Sequence, residues 1–100
     1  MATKPTPTQT LAKAVGGKAV KGSRNERIIL NGKKIATVWT RGNGALAVYV
    51  DKDVKIAGQL KKATEVTSEG LRLRVTREDV ELGDLVLARE LVGLARDSSR

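Results

Sequence analysis

The sequence predicts a small α+β domain in which antiparallel strands pack against a C-terminal helix. Three observations predict it. Alternating apolar residues between 26 and 51 are interrupted by two Asn-Gly pairs, a second alternating stretch covers 64–76, and an apolar stripe at helical spacing follows it. A chain of 100 residues is long enough for one domain. With one Trp, one Tyr and no Phe, its core must be aliphatic.

The segment 26–51 predicts a three-stranded antiparallel meander. An Asn-Gly pair between alternating apolar runs favours a two-residue type I′ turn, because both central residues of that turn need positive φ. The pairs at 31–32 and 43–44 would therefore connect the three strands.

Two-residue turns also predict which side chains face the core. They place Ile28 opposite Ile35 and Trp39 opposite Val48, and side chains alternate between the two faces of a strand. A shift of one residue would move a whole strand's set to the other face. We therefore expect a core-facing set made of Ile28, Leu30, Ile35, Trp39, Leu46, Val48 and Val50.

Residues 52–76 predict a connection followed by a second hairpin. Apolar residues recur at helical spacing in 54–63, but Gly58 weakens a helix there, so a short helix and a crossover strand both remain open. The segment 64–76 predicts a hairpin that turns at 68–70. Its second strand alternates, so Arg72 and Arg74 should point away from the core.

The segment 78–96 predicts a C-terminal helix, with Gly83 as a possible break and an alternative start at 84. Acidic residues crowd its first turns, where they complement the positive end of the helix dipole. The apolar arc is broad enough to suggest self-association through this helix as well as cover for the sheet. Its central stripe consists of Leu85, Ala88, Leu91, Val92 and Ala95.

The N-terminal segment 1–25 is expected to be a disordered basic arm, in front of a compact domain at 26–97 and a frayed tail at 98–100. It is rich in Thr, Gly, Pro and Lys and offers little to pack. Three interpretations remain open: a solubilising tail, an arm that becomes ordered on a polyanion, and an organelle transit peptide.

The composition argues against catalysis. Without Cys or His, the chain lacks a thiol nucleophile, a thiolate metal site and the commonest general base. We expect no enzymatic activity, no cofactor and no metal. No apolar run is long enough to span a membrane, and no secretory signal follows Met1, so a cytoplasmic protein without a membrane partner is expected.

The formal charge of +8 favours nucleic acid as the partner. Because Trp39 is expected in the core, Tyr49 alone remains as an exposed ring, which argues against stacking on single strands. The expected function is binding to the phosphate backbone of duplex DNA with low sequence specificity. The candidate nucleic-acid-binding residues are Lys13, Lys18, Lys21, Arg24, Arg27, Lys33, Lys34, Arg41, Arg72 and Arg74.

The alternative function is a small homo-oligomeric assembly or protein-interaction module with a basic tail, of phage or bacterial origin. The distribution of the cations over the folded domain separates the two functions. One contiguous basic face favours nucleic acid, whereas cations mixed with acids around an apolar patch favour a protein interface.

Overall fold

The computed structural model describes residues 7–22, 25–40, 44–82 and 85–98. In chain order the elements are α1 (Pro7–Val15), β1 (Lys18–Lys21), β2 (Asn25–Leu30), β3 (Lys33–Thr40), β4 (Leu46–Val50), α2 (Gly58–Ala63), β5 (Thr64–Thr67), β6 (Gly70–Val75), α3 (Arg77–Leu82) and α4 (Val86–Ser98).

The strands form one antiparallel sheet in the order β1-β2-β3-β4-β6-β5. Strands β1 to β4 make a meander, and the β5–β6 hairpin joins it because β6 pairs with β4. The predicted α+β class, meander, second hairpin and C-terminal helix are confirmed. The structure adds a further strand, β1, at the outer edge of the meander.

The helices cover one face of this sheet. All four of them contribute to a single apolar core, which also takes alternate residues from the strands. Helices α1 and α4 pack against each other, α1 lies over β1 and β2, and α4 lies over β3 and β4. The predicted stripe of α4 supplies its buried side chains, Ala88, Leu91, Val92 and Ala95, and Leu85 is buried just before the helix begins.

The first hairpin has the predicted turn but an unexpected bulge. Asn31 and Gly32 both have positive φ, at 53° and 78°, as a type I′ turn requires. Leu30 lies opposite Lys33, as a two-residue turn requires, but Ile28 lies opposite Ala36 and not Ile35, because Ile35 is an extra residue in β3. Such a bulge moves every following side chain of its strand to the other face.

The second hairpin has a longer connection than predicted. Thr40 lies opposite Leu46, so residues 41–45 connect β3 to β4 where a two-residue turn was expected. The predicted turn residue Asn43 lies outside the described residues. The longer loop compensates for the bulge, so the predicted core residues of β4 are buried. In β3, the residues that follow the bulge face the side of the sheet opposite to the predicted one.

The prediction that Trp39 faces the core is therefore wrong. Trp39 lies opposite Ala47, whereas Val38 lies opposite the fully buried Val48. Ala36 and Val38, which were expected on the outer face, are 2% and 1% exposed. The core of β3 is built from these two residues and Ile35.

The N-terminal segment differs from the disordered arm that was expected over 1–25. Residues 7–22 form α1 and β1, and Leu11, Ala12 and Val15 are buried. An isolated two-turn helix is unstable in water, but docking on the sheet and α4 buries its apolar side. The N–H groups of Gly16 and Gly17 close α1 on the carbonyls of Lys13 and Ala12, at 3.2 and 2.8 Å, and Gly16 has the positive φ of this Schellman cap.

The two remaining helical segments resolve alternatives that the sequence left open. Residues 58–63 form the short helix α2, with the buried Leu60 in the core. The C-terminal region forms two helices, α3 and α4, on either side of residues 83–84, which lie outside the described residues. Thr76 Oγ1 accepts the backbone N–H of Asp79 at 3.2 Å and so caps α3.

Candidate nucleic-acid interface

The face of the sheet opposite the helices is called here the open face. Side chains directly opposite each other in paired antiparallel strands share a face, so the pairing defines its membership. One row crosses the whole sheet through Val20, Arg27, Thr37, Tyr49, Arg72 and Glu65. A second row contains Asn25, Trp39, Ala47 and Arg74. At the end of β2, Lys18, Ile29 and Lys34 form a third.

Both aromatic side chains of the protein lie on the open face, on its two central strands. Trp39 on β3 is opposite Ala47, and Tyr49 on β4 is opposite Thr37. The two rings are therefore diagonal neighbours, at positions that lie roughly 7–8 Å apart in an antiparallel pair. Both side chains are half-buried. The rings form an adjacent pair near the centre of the sheet.

Cations flank this ring pair on both sides. Among the described residues, five cations lie on the open face: Lys18, Arg27 and Lys34 on the β1–β3 side, and Arg72 and Arg74 on β6. Glu65 lies on the same face, opposite Arg72, and two further acids, Asp51 and Glu69, line a depression beside Lys34 and Tyr49. The open face accordingly has aromatic rings at its centre, cations on either side of them, and Glu65 on the edge strand β5.

Glu65 holds the two arginines of β6. Arg72 donates to its Oε2 from Nε at 3.1 Å and also from an Nη, and an Nη of Arg74 lies 3.8 Å from the same oxygen. The hydrogen bond from Arg72, and then the charges of Arg72 and Arg74, lower the pKa of Glu65. The pKa of Arg72 is raised by Glu65 and also by a hydrogen bond with Tyr49. Arg72 is thus held between the acid and the ring.

Two shallow depressions mark the open face. One, of about 190 Å³, lies beside Ala47 and is lined by Arg72 and Arg74. The other, of about 200 Å³, is lined by Lys34, Thr37 and Tyr49 together with two acids, Asp51 and Glu69, and with Ile35, Ala36 and Val50. The first has two arginines and no acid among its described lining residues, which suits a phosphate or the edge of a base, whereas the two acids of the second disfavour a phosphate.

The ten residues predicted to bind nucleic acid do not all meet. Lys18, Arg27, Lys34, Arg72 and Arg74 lie together on the open face. Lys13 is exposed on α1, in the helical layer behind the sheet. Lys21 lies opposite Glu26, and Lys33 lies opposite Leu30. Both lysines are on the side of the sheet that faces the helices. Arg24 and Arg41 lie outside the described residues.

Trp39 is the residue of this face that sequence reasoning missed. The alternation of β3 allows either of its two faces to be the core face. Ile35 and Trp39 are apolar residues of one alternating set, and Ala36 and Val38 are apolar residues of the other. Only the bulge at Ile35 selects between them, and no residue in the strand signals that bulge. By contrast, the outward direction of Arg72 and Arg74 follows directly from strand alternation and is confirmed.

Within the described residues, no three His, Cys, Asp or Glu side chains gather into a potential metal site. None of the helices formed by those residues is long and apolar enough to cross a membrane. Comparisons with protein-family models, curated proteins and solved structures found no match to this chain. A functional inference must therefore come from the geometry of the open face.

Proposed function

We propose that this protein is a non-enzymatic nucleic-acid-binding protein that binds through the open face of its sheet. The observation that supports the proposal is the placement of five cations around the two rings, among the described residues of that face. Clustered lysines and arginines bind phosphates and release condensed counterions, which makes affinity fall with salt. A surface with this charge distribution is the electrostatic footprint expected for such a protein.

The charge on the rest of the described surface differs from that of the open face. Asp53 lies in the loop with Lys52 and Lys55, and α3 begins with Arg77, Glu78 and Asp79. Cations there alternate with acids, so their fields largely cancel beyond about one Debye length. Among the residues that the structure describes, the open face carries five cations against Glu65 and the bordering acids Asp51 and Glu69, so we expect the net attraction for a polyanion to be strongest there.

Removing two cations of the open face should weaken nucleic-acid binding more than removing two cations from the helices. We expect Arg27→Gln/Arg74→Gln to reduce duplex or single-strand affinity and to lower the slope of log K against log salt by roughly 1.4–1.8, because two phosphate contacts are lost. Fluorescence anisotropy at about 50 and 200 mM salt measures both quantities. The matched control is Lys62→Gln/Arg89→Gln, whose positions are exposed on α2 and α4.

The control variant carries the same net charge, so a general loss of positive charge affects both equally. Equal weakening of the two variants would show that the open face is not the interface. Absence of binding by the unmodified protein to both nucleic acids at low salt would remove the proposed function.

Neutralising Glu65 should strengthen binding. Glu65→Gln removes the negative charge that repels phosphate, while the amide oxygen can still accept a hydrogen bond from Arg72, so we expect affinity to rise about two- to five-fold at low salt. Because the pKa of Glu65 is lowered in the fold, its pairing is present at neutral pH and is lost only as pH falls through that lowered pKa. Anisotropy at neutral pH measures the effect, with Glu90→Gln on α4 as the control. Equal gains in nucleic-acid affinity for Glu65→Gln and Glu90→Gln would mean that Glu65 has no specific role.

The alternative, a homo-oligomeric or protein-interaction module, is favoured by one observation. The sheet ends in β1 and β5, and on these edge strands Val20 and Val66 are 43% and 79% exposed. Exposed edge strands can pair with another chain. The predicted route through the C-terminal helix has less support, because the stripe of α4 packs into the protein's own core. Sedimentation analysis of the free protein distinguishes a monomer from an edge-paired oligomer.

A further inference from the structure

We infer that the open face binds single-stranded nucleic acid in preference to duplex, with bases stacked on Trp39 and Tyr49. This inference rests on the proposed function and specifies its ligand. The geometry that carries it is a ring pair on the two central strands with cations on both sides. A single strand that crosses the sheet would place bases over the centre and phosphates over the flanks.

The width of the sheet opposes insertion into a duplex groove. Six strands at about 4.8 Å spacing span roughly 24 Å. The major groove of B-DNA is about 12 Å wide and admits a two-stranded ribbon or one helix. The rings lie at the middle of the wide face, so they cannot reach base edges within a groove. A duplex would contact only the cations.

The faces of bases become available only in single strands, where they stack on aromatic side chains with little sequence preference. Trp39 and Tyr49 are half-buried, which fixes each ring against the sheet while part of it remains accessible. Their fixed positions reduce the conformational entropy that binding would otherwise remove. The face is therefore already arranged for stacking before the ligand arrives.

Arg72 adds a second type of contact beside the rings. Its guanidinium is held by Glu65 and by Tyr49, and its side chain is 24% exposed, whereas that of Arg74 is 61% exposed. A guanidinium fixed next to a ring can stack on a base, while the more exposed Arg74 is available to a phosphate. The two arginines thus suit different parts of a nucleotide.

A purely structural role for Trp39 needs a separate test. Its ring lies between Asn25 and Ala47, and Ala47 is 4% exposed, so Trp39 contributes apolar cover on this face. Trp39→Leu retains an apolar side chain without an aromatic ring, and Trp39→Phe retains a ring. A structural role predicts that Leu and Phe behave alike in binding, whereas stacking predicts that only Phe retains affinity for single strands.

The experiment uses the full chain and two probes, an oligothymidylate of about 15 nucleotides and a duplex of the same length. The chain contains one Trp, so tryptophan fluorescence, excited at a wavelength that tyrosine does not absorb, reports on Trp39 alone. We expect oligothymidylate to quench this fluorescence and to bind at least about ten-fold more tightly than the duplex. Trp39→Leu should weaken oligothymidylate binding about 5- to 100-fold, since stacking of one base is lost, and change duplex binding by less than about two-fold.

Three outcomes would overturn the inference. Duplex binding as tight as single-strand binding, with Trp39→Leu neutral, would leave the proposed function intact and reject the stacking model. Failure of both probes to bind at low salt would reject both proposals. Fluorescence that changes with protein concentration alone would assign the open face to a second copy of the chain.

Discussion

Replacing Leu11 by alanine is expected to lower the free energy of unfolding by about 2–5 kcal/mol. Leu11 is 0% exposed and belongs to α1, which contacts α4, β1 and β2. The substitution removes apolar contacts and leaves a cavity at the junction of these elements. Urea denaturation followed by circular dichroism measures the change as a lower midpoint with an unchanged slope.

The exposed residue Lys13 provides the control on the same helix. Lys13→Ala keeps helix propensity high and removes no buried contact, so we expect a change within about 0.5 kcal/mol. If Leu11→Ala were as neutral as Lys13→Ala, α1 would not be docked in solution. The N-terminal segment would then be the disordered arm that its composition suggests.

Replacing Gly70 by alanine is expected to destabilise the fold by about 2–5 kcal/mol, from backbone strain and overpacking together. Gly70 opens β6 with φ at 127°, a conformation that side chains disfavour. A Cβ at this position would also collide with the carbonyl oxygen of Val50 on β4. The clash is between backbone and a fixed Cβ, so rotation of a side chain cannot relieve it. Chemical denaturation of the variant measures the loss.

Gly93→Ala is the matched control for Gly70→Ala. Gly93 lies within α4, has no positive φ, and an added Cβ there would meet nothing within 4 Å. The same chemical change should stabilise the protein by about 0.4–1 kcal/mol, because alanine favours the helix and restricts the unfolded chain. We therefore expect the free energy of unfolding to fall in Gly70→Ala and to rise in Gly93→Ala. A neutral Gly70→Ala would mean that β6 is not held against β4 as the structure has it.

Docking of the N-terminal segment changes how its charges would act. Lys18 lies on β1, in a strand pair that also carries Arg27, and is not on a mobile tail. A cation fixed on a sheet loses less conformational entropy on binding a phosphate than one on a disordered arm. The same docking removes Lys13 to the helical layer, so basic residues close in sequence contribute to different surfaces.

The bulge at Ile35 links the core to the candidate site. It turns Ala36 and Val38 towards the helices, and by the same rotation it places Trp39 on the open face beside Tyr49. Because side chains alternate with period two, neither change can occur without the other. The aromatic centre of the open face is therefore a consequence of how β3 packs.

Local signals in the sequence determined much of this protein. The Asn31-Gly32 turn, the alternation of β4 and β6, the outward direction of Arg72 and Arg74, and the apolar stripe of α4 all appear as predicted. Each depends on turn chemistry or on periodicity within a few residues, so the sequence contains the information directly.

Tertiary structure decided which residues of β3 face the core, the length of the connection between β3 and β4, and the docking of α1. The bulge and the longer loop compensate each other across two hairpins, and only the fit of β3 between β2 and β4 selects that pair of changes. Residues 7–15 are too short to be a stable helix alone, and they fold because α4 and the sheet bury Leu11, Ala12 and Val15. These features depend on contacts between distant segments, which is why the open face emerges only once the sheet is assembled.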